Sequence, residues 1–190
     1  MSLRDAKTPS SPDRRPGESE AATDGTGRVT AWKFRVAVLK HHRSVYRMCY
    51  ALLRDEQLAE DMTQEAFVKY WEQGADVARP KEWLHRVARN SCLDLLRKTD
   101  RVVGDEHFQT LSSGDEHDPA WRYQQGELSL RLRRLIDRLP EPQRSLIVLF
   151  DVQGMNGAEC ARILDINVNQ VRVYLHRARR QLRLALEKSP

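Results

Sequence analysis

Cysteine is scarce in this 190-residue chain: Cys49, Cys92 and Cys160 stand far apart, each inside an apolar helical pattern. No CxxC pair or Cys/His cluster at metal-ligand spacing accompanies them, which excludes a zinc site or a disulfide framework and leaves buried free thiols as the expectation. His41 and His42 are adjacent, so on a helix they point about 100° apart and chelate poorly. Long apolar runs are missing too. None approaches the roughly 20 residues that span a bilayer, and the N-terminus has no apolar core suited to a signal peptide. A cytoplasmic protein without membrane insertion is expected. Paired carboxylates, a Ser/His/Asp set and a Walker loop are likewise wanting, so no catalytic residue, metal or cofactor is assigned.

Charge is plentiful and unevenly placed. Charged residues make up 31% of the chain and hydrophobic ones 40%, with a net charge of +5 and a pI near 9.3. This balance supports a core and permits an anionic partner, and the length allows one large or two small domains. Local sign is more informative. Pro80 fits the first turn of a helix that nothing interrupts for roughly five turns. Leu84, Val87, Ala88, Ser91 and Leu95 share an apolar face at helical spacing, while Trp83, Arg86, Asn90, Asp94, Arg97 and Arg101 form a second stripe. Guanidinium groups suit phosphate, an amide suits base edges, and an indole offers a stacking face. The competing reading is a solvated basic face with Trp83 tucked into the edge of the core.

The helix before it has the opposite sign. Over Asp55–Glu72 six acidic residues face Lys69 alone, a local balance of −5. Leu58, Met62, Ala66, Phe67 and Tyr70 make its apolar side, and Asp61, Gln64, Glu65, Val68 and Glu72 lie opposite. Nucleic acid is repelled by such a face and a basic protein surface is attracted. The sign reversal across a short loop implies two partners, one protein and one nucleic acid.

The remaining segments complete an all-α plan of two small helical domains. Residues 1–29, with five basic and five acidic residues and almost nothing apolar, read as a disordered tail. Residues 30–101 hold the helices above and one before them, whose apolar face runs through Phe34, Val38, His42, Val45, Cys49, Leu52 and Leu53. Residues 102–125, with five acids against Arg122, read as a flexible acidic linker. In 126–190, an amphipathic helix through Leu128–Leu139 stops at Pro140. Another runs from Pro142 to about Gly154, and Asn156 with Glu159 forms a capping box for a third. After a turn at Asp165-Ile166 and a cap at Asn167, the last helix buries Val171, Leu175, Ala178 and Leu182. Two helices joined by such a turn form a helix-turn-helix signature. Asn169, Gln170 and Arg172 in its first turn are groups that read base edges, and Arg177 suits phosphate.

Two blocks of residues now carry a resemblance. Ala59-Glu60-Asp61-Met62-Thr63-Gln64-Glu65-Ala66-Phe67, followed by Trp83 to Asn90 with Asp94, resembles region two of a bacterial RNA polymerase sigma factor. Leu139-Pro140-Glu141-Pro142-Gln143-Arg144, with Glu159-Cys160-Ala161 and Leu175 to Arg179, resembles region four. Their order and spacing are similar to those of the extracytoplasmic-function (ECF) type. The resemblance implies that Asp61, Gln64 and Glu65 dock on the β′ clamp helices of core RNA polymerase. It implies that Asn90 reads the melted minus-ten element while Arg86, Arg89 and Arg97 hold its backbone. Region four is then expected to meet the β flap and to lay the last helix in the major groove at the minus-thirty-five element. There Asn169, Gln170, Arg172 and Val173 face the bases and Arg177 the phosphates. An anti-sigma factor is a further partner that the resemblance admits.

The sequence departs from the family pattern at Asp165, where glycine is usual, and at Asn169-Gln170, where Gly-Thr is usual. Aspartate tolerates the left-handed conformation the turn needs. The amides instead point to an upstream element with at least one adenine, read foremost by Gln170. A helix-turn-helix regulator acting without polymerase is the rival reading, and it leaves the acidic face of Asp61, Gln64 and Glu65 unexplained.

Overall fold

Thr30 opens the first helix, its hydroxyl accepting from the Lys33 N–H at 3.5 Å, and α1 runs Ala31–Leu53. The computed structural model describes residues 28–103 and 127–187. The expected tail, except its last two residues, and most of the expected linker lie outside the described residues. Val29 is a correction to the tail boundary: it is 1% exposed and its N–H donates to the Trp71 carbonyl at 3.0 Å. Its polar neighbours hid a residue that the core takes up.

Arg54 closes α1 in the left-handed region, φ 59°, with its N–H on the Tyr50 carbonyl. Asp55 at once caps α2 (Glu56–Gln73), accepting from the Leu58 N–H at 2.8 Å. So tight a corner makes the two helices antiparallel neighbours. A side chain at Gly74 would run into the ring and carbonyl of Tyr70, so the close approach that ends α2 requires glycine. A short loop leads to α3 (Pro80–Val103). Leu84, Ala88 and Cys92 on α3 are wholly buried against Val45, Met48 and Cys49 of α1 and Ala59 and Ala66 of α2. Truncating Leu84 to Ala in such packing costs about 2–5 kcal/mol.

The second unit begins with α4 (Glu127–Asp137). After the cis Glu141–Pro142 peptide comes α5 (Gln143–Leu146), which continues as a π-helix over Ile147–Val152. The sequence predicts one regular helix here; over six residues its apolar spacing does not separate the α period from the wider π turn. Reciprocal bonds between Asn156 and Glu159, both 2.9 Å, form the expected capping box of α6 (Gly157–Leu164). Asp165 takes the left-handed conformation, φ 56° and ψ 48°, as the turn demands. The final helix, α7 (Val168–Glu187), buries the four predicted residues Val171, Leu175, Ala178 and Leu182. Among the described residues every regular element is helical.

The two units touch. The C-terminal end of α1 and one side of α3 pack on α5, its π-helical continuation and α6.

Candidate functional site

The acidic face of α2 is open. Asp61 and Gln64 are exposed, and Val68 beside them is 54% exposed, an apolar residue left in the middle of a charged surface. Gln64 donates to Glu60 at 3.1 Å. Glu65 is half-buried: Lys69 pairs with it at 2.5 Å and the Ser91 hydroxyl donates to it at 3.3 Å. Asp61 makes no ion pair among the described residues, so its charge is less compensated than that of Glu65.

On α3, Arg86, Asn90, Asp94 and Arg97 are all exposed along one stripe, with Arg97 paired to Asp94 at 3.0 Å. Trp83 is half-buried with its ring 5.8 Å from that of Tyr70. Its expected stacking face is therefore used inside the fold. Arg101's side chain lies outside the described residues. Arg89 departs most from expectation. It lies off the exposed stripe, 9% exposed, donating through Nε to the Ser145 hydroxyl and through Nη2 to Glu141, both at 2.8 Å. A phosphate-binding role for Arg89 does not fit this arrangement; its guanidinium faces the second unit because three residues along a helix carry it some 60° round from Arg86.

Behind the stripe, His85 is wholly buried. Burial, its foremost influence, lowers its pKa to about 4. The neutral ring carries its proton on Nδ1, which donates to the Lys81 carbonyl at 2.7 Å, so Nε2 faces the Ser44 hydroxyl as an acceptor at 3.0 Å. Ser44 also lies 3.0 Å from Gln153 Oε1, and Gln153 donates to the Ser44 carbonyl at 3.1 Å. Ser44, Lys81, Glu141, Ser145 and Gln153 were given no role by sequence, and Glu159 was expected only as a cap. Glu141 stands in a quoted region-four block, which is the only signal that singled it out.

On α7, Asn169, Gln170, Arg172, Val173 and Arg177 are all exposed. Gln170 has a second duty: its Oε1 accepts from the Asn167 N–H at 2.9 Å while Asn167 accepts from the Gln170 N–H at 2.8 Å. This reciprocal cap occupies the acceptor half of the amide that adenine recognition needs. A groove of about 1000 Å³ lies between α7 and the start of α6, lined by Arg172, His176, Arg180, Arg183 and the apolar Phe150 and Val168. Arg179 is held at its rim by Asp151 at 2.5 Å and sits 5.5 Å over the Phe150 ring. Bare arginines around a concave, N-cap-flanked groove suit a phosphate backbone.

The three cysteines are free and buried, and burial foremost raises the Cys160 thiol to about 11. Among the described residues no cluster of His, Cys, Asp and Glu is suited to a metal ion, and no helix is long and apolar enough to cross a membrane.

The fold agrees with that of known proteins. The family model described as Sigma-70 region 2 matches residues 37–102, and that described as Sigma-70, region 4 matches residues 129–182. ECF RNA polymerase sigma factor SigE of Mycolicibacterium smegmatis is 32% identical over 174 residues, covering 88% of this chain and 67% of the relative. ECF RNA polymerase sigma factor SigW of Bacillus subtilis is also 32% identical, over 75% of this chain and 82% of its own. Among solved structures, the sigma factor RpoE in complex with the anti-sigma factor NepR, from Bartonella quintana, has a TM-score of 0.63 at 22% identity, covering 83% of this chain and 99% of that one. CnrH, in complex with the cytosolic domain of CnrY, gives 0.64 at 24%, covering 90% and 96%. These two support the fold. The chain belongs to the sigma-70 family, as an ECF-type sigma factor that binds core RNA polymerase and directs it to promoter DNA.

Proposed function

We propose a division of labour among three surfaces. The α2 face of Asp61, Gln64 and Glu65 docks on the β′ clamp helices. The α3 stripe of Arg86, Asn90 and Arg97 engages the minus-ten element as it melts, Asn90 at a base and the arginines at the backbone. The α7 face of Asn169, Arg172 and Val173 reads the minus-thirty-five element, with Arg177 on a phosphate and the rest of region four against the β flap. Residues 30–101 and 126–190 act as the two working domains, with 102–125 as the connection between them. The factor works in the cytoplasm as a specificity subunit and performs no chemistry of its own. An anti-sigma factor is a fitting regulator.

The observation that carries this reading is the opposition of sign on exposed faces: an acidic surface on α2, a guanidinium and amide stripe on the neighbouring α3, and a second such stripe on α7. A DNA-binding regulator alone has no use for the first. The test is Asp61→Lys with Glu65→Lys. Because a single surface pair contributes little, the double reversal acts through several coupled contacts at once. Affinity for core polymerase is expected to fall roughly a hundredfold, with the helical circular dichroism unchanged. Core binding at wild-type strength by the folded variant sinks the docking assignment.

A further inference from the structure

One side of α1 enters the core and the opposite side is bare. At about 100° per residue, Trp32, Val36, Leu39 and Arg43 fall within about 60° of one another, opposite the buried Ala37, Val45 and Met48. Trp32 is 72% exposed and Leu39 83%, the highest values among the large apolar residues described. Val36 between them is half-buried. Arg35 and Lys40 flank this row, about 40° beyond it on either side, and both are exposed, as is Arg43. None of these three cations is paired with an acid among the described residues. Over its whole length α1 has five basic residues and no acidic one. From this row we infer that the outer face of α1 is a peripheral membrane site, which rests on a bilayer surface rich in anionic lipid headgroups.

Three observations choose this partner. The first is position. Helices α1, α2 and α3 pack pairwise, so each shows solvent one outer face. The α2 face is acidic and the α3 face carries the guanidinium and amide stripe, so α1 supplies a third side. The site therefore goes beyond the proposed division of labour and draws on none of its residues. The second is chemistry. An indole and a leucine two turns apart, flanked by guanidinium and ammonium groups, are what lets a helix rest at a bilayer interface. The apolar side chains enter the acyl boundary, while the cations lay their stems along it and keep their heads among the phosphates. A nucleic acid would stack on Trp32 and pair with the cations, but it has no use for Leu39 and Val36. The third is shape. The row runs about 16 Å along a convex helix surface, and the groove described above lies on α6 and α7 instead. A convex apolar ridge suits a soft plane. With two large anchors and three cations, binding is weak and reversible. The acidic face of α2 points to another side, clear of the like charge of the headgroups, and stays open to polymerase.

The experiment mixes the full chain with vesicles of phosphatidylglycerol and phosphatidylcholine in equal parts, or of phosphatidylcholine alone, and measures the bound fraction by sedimentation. Wild type is expected to be half bound at roughly 0.1–1 mM accessible lipid on the anionic vesicles, the range of a single acyl chain. On the neutral vesicles it should bind at least about tenfold more weakly. The cations of α3 and α7 also attract anionic lipid, so the apolar pair carries the decision. Trp32→Ser with Leu39→Ser alters two exposed side chains, should leave the helical circular dichroism unchanged, and should weaken binding to anionic vesicles at least about tenfold. The affinities of this variant for core polymerase and for a single strand of DNA should equal those of wild type. A wild-type chain that ignores anionic vesicles overturns the site, as does a serine variant that binds them at wild-type strength. A loss of core affinity in the variant overturns it too and hands the face to polymerase, while a loss of single-strand affinity hands it to nucleic acid. Asp61 and Glu65 are untouched in every arm, so none of these results is confused with a failure of the α2 docking assignment.

Discussion

Arg144 reaches from the first turn of α5 into the C-terminal end of α1, where its Nη2 donates to the carbonyls of Ala51, at 3.3 Å, and Leu52. Those carbonyls belong to the last turn of a helix, where partial negative charge gathers and intrahelical donors run out. Asp137 stands 3.5 Å away and is shared with Arg54. Burial, the foremost influence, lowers the Arg144 pKa, and Asp137 and Glu141 push it back up; the group stays charged. A residue of the region-four signature thus ends the first helix of region two.

Arg144→Met is expected to lower stability by about 2–4 kcal/mol, because it keeps the bulk but leaves helix-end carbonyls without a donor. Arg144→Lys should fall between, having one ammonium where two carbonyls and a carboxylate want a fork. Urea unfolding at constant slope is the measurement. A Met variant with the wild-type midpoint would show that the guanidinium is dispensable.

His85 sets a pH dependence with a definite sign. Its pKa is lowered to about 4 in the folded chain from an ordinary 6.5, so below pH 6.5 the unfolded chain binds a proton that the folded one refuses. Stability from this group is complete above pH 6.5 and is lost as pH falls from there to about 4. The full loss is about 3 kcal/mol. Unfolding free energy measured across that window should slope upward with pH. Replacing His85 by Gln, which keeps a donor and an acceptor, should flatten this part of the slope. An equal slope in the Gln variant assigns the dependence to other groups.

What the sequence made legible were elements that announce themselves locally. Asn156 and Glu159 stand three apart and cap α6 as expected, and Asp165 adopts the left-handed turn. The exposed stripe of Arg86, Asn90 and Arg97 follows from helical spacing alone. Arg89 could not be read that way. Its periodicity says which way it points and nothing about Glu141, 52 residues on, that waits there. Ser44 and Gln153, 109 residues apart, share that limit. Trp83 was open between two readings because an indole at a helix edge is equally at home on Tyr70 or on a base.

Gln170 illustrates a contest between a cap and a reader. Glutamate at this position still accepts from the Asn167 N–H but has no donor for adenine N7. With the cap formed, Gln170→Glu should stay within about 0.5 kcal/mol of wild-type stability, whereas Gln170→Ala should lose about 1 kcal/mol. The expected upstream base preference survives Gln170→Glu, because the adenine contact passes to Asn169, while overall affinity drops from the added negative charge. Promoter activity across all four base pairs at each upstream position is the readout. A preference lost at one position in the Glu variant returns the reading to Gln170.

Arg89 and Asn90 are sequence neighbours with separable duties, and substituting each tells them apart. Arg89→Ala removes the donors to Ser145 and Glu141, leaving a carboxylate whose side chain is 30% exposed short of its partner. The expected cost is about 1–3 kcal/mol in stability. Selectivity within the melted element should be kept, since Arg89 lies off the exposed stripe. Asn90 is exposed and, among the described residues, holds only a 3.5 Å contact from Arg89, so Asn90→Ala should leave stability within about 0.5 kcal/mol of wild type. It should instead slow open-complex formation and flatten base choice, because a flipped base then lacks the edge contact that offsets unstacking. Thermal unfolding and a melting assay run on both variants give four numbers. Opposite patterns in the two columns are the expected result. If Arg89→Ala melts promoters poorly while remaining as stable as wild type, Arg89 works on DNA after all, and the contact with Glu141 is incidental.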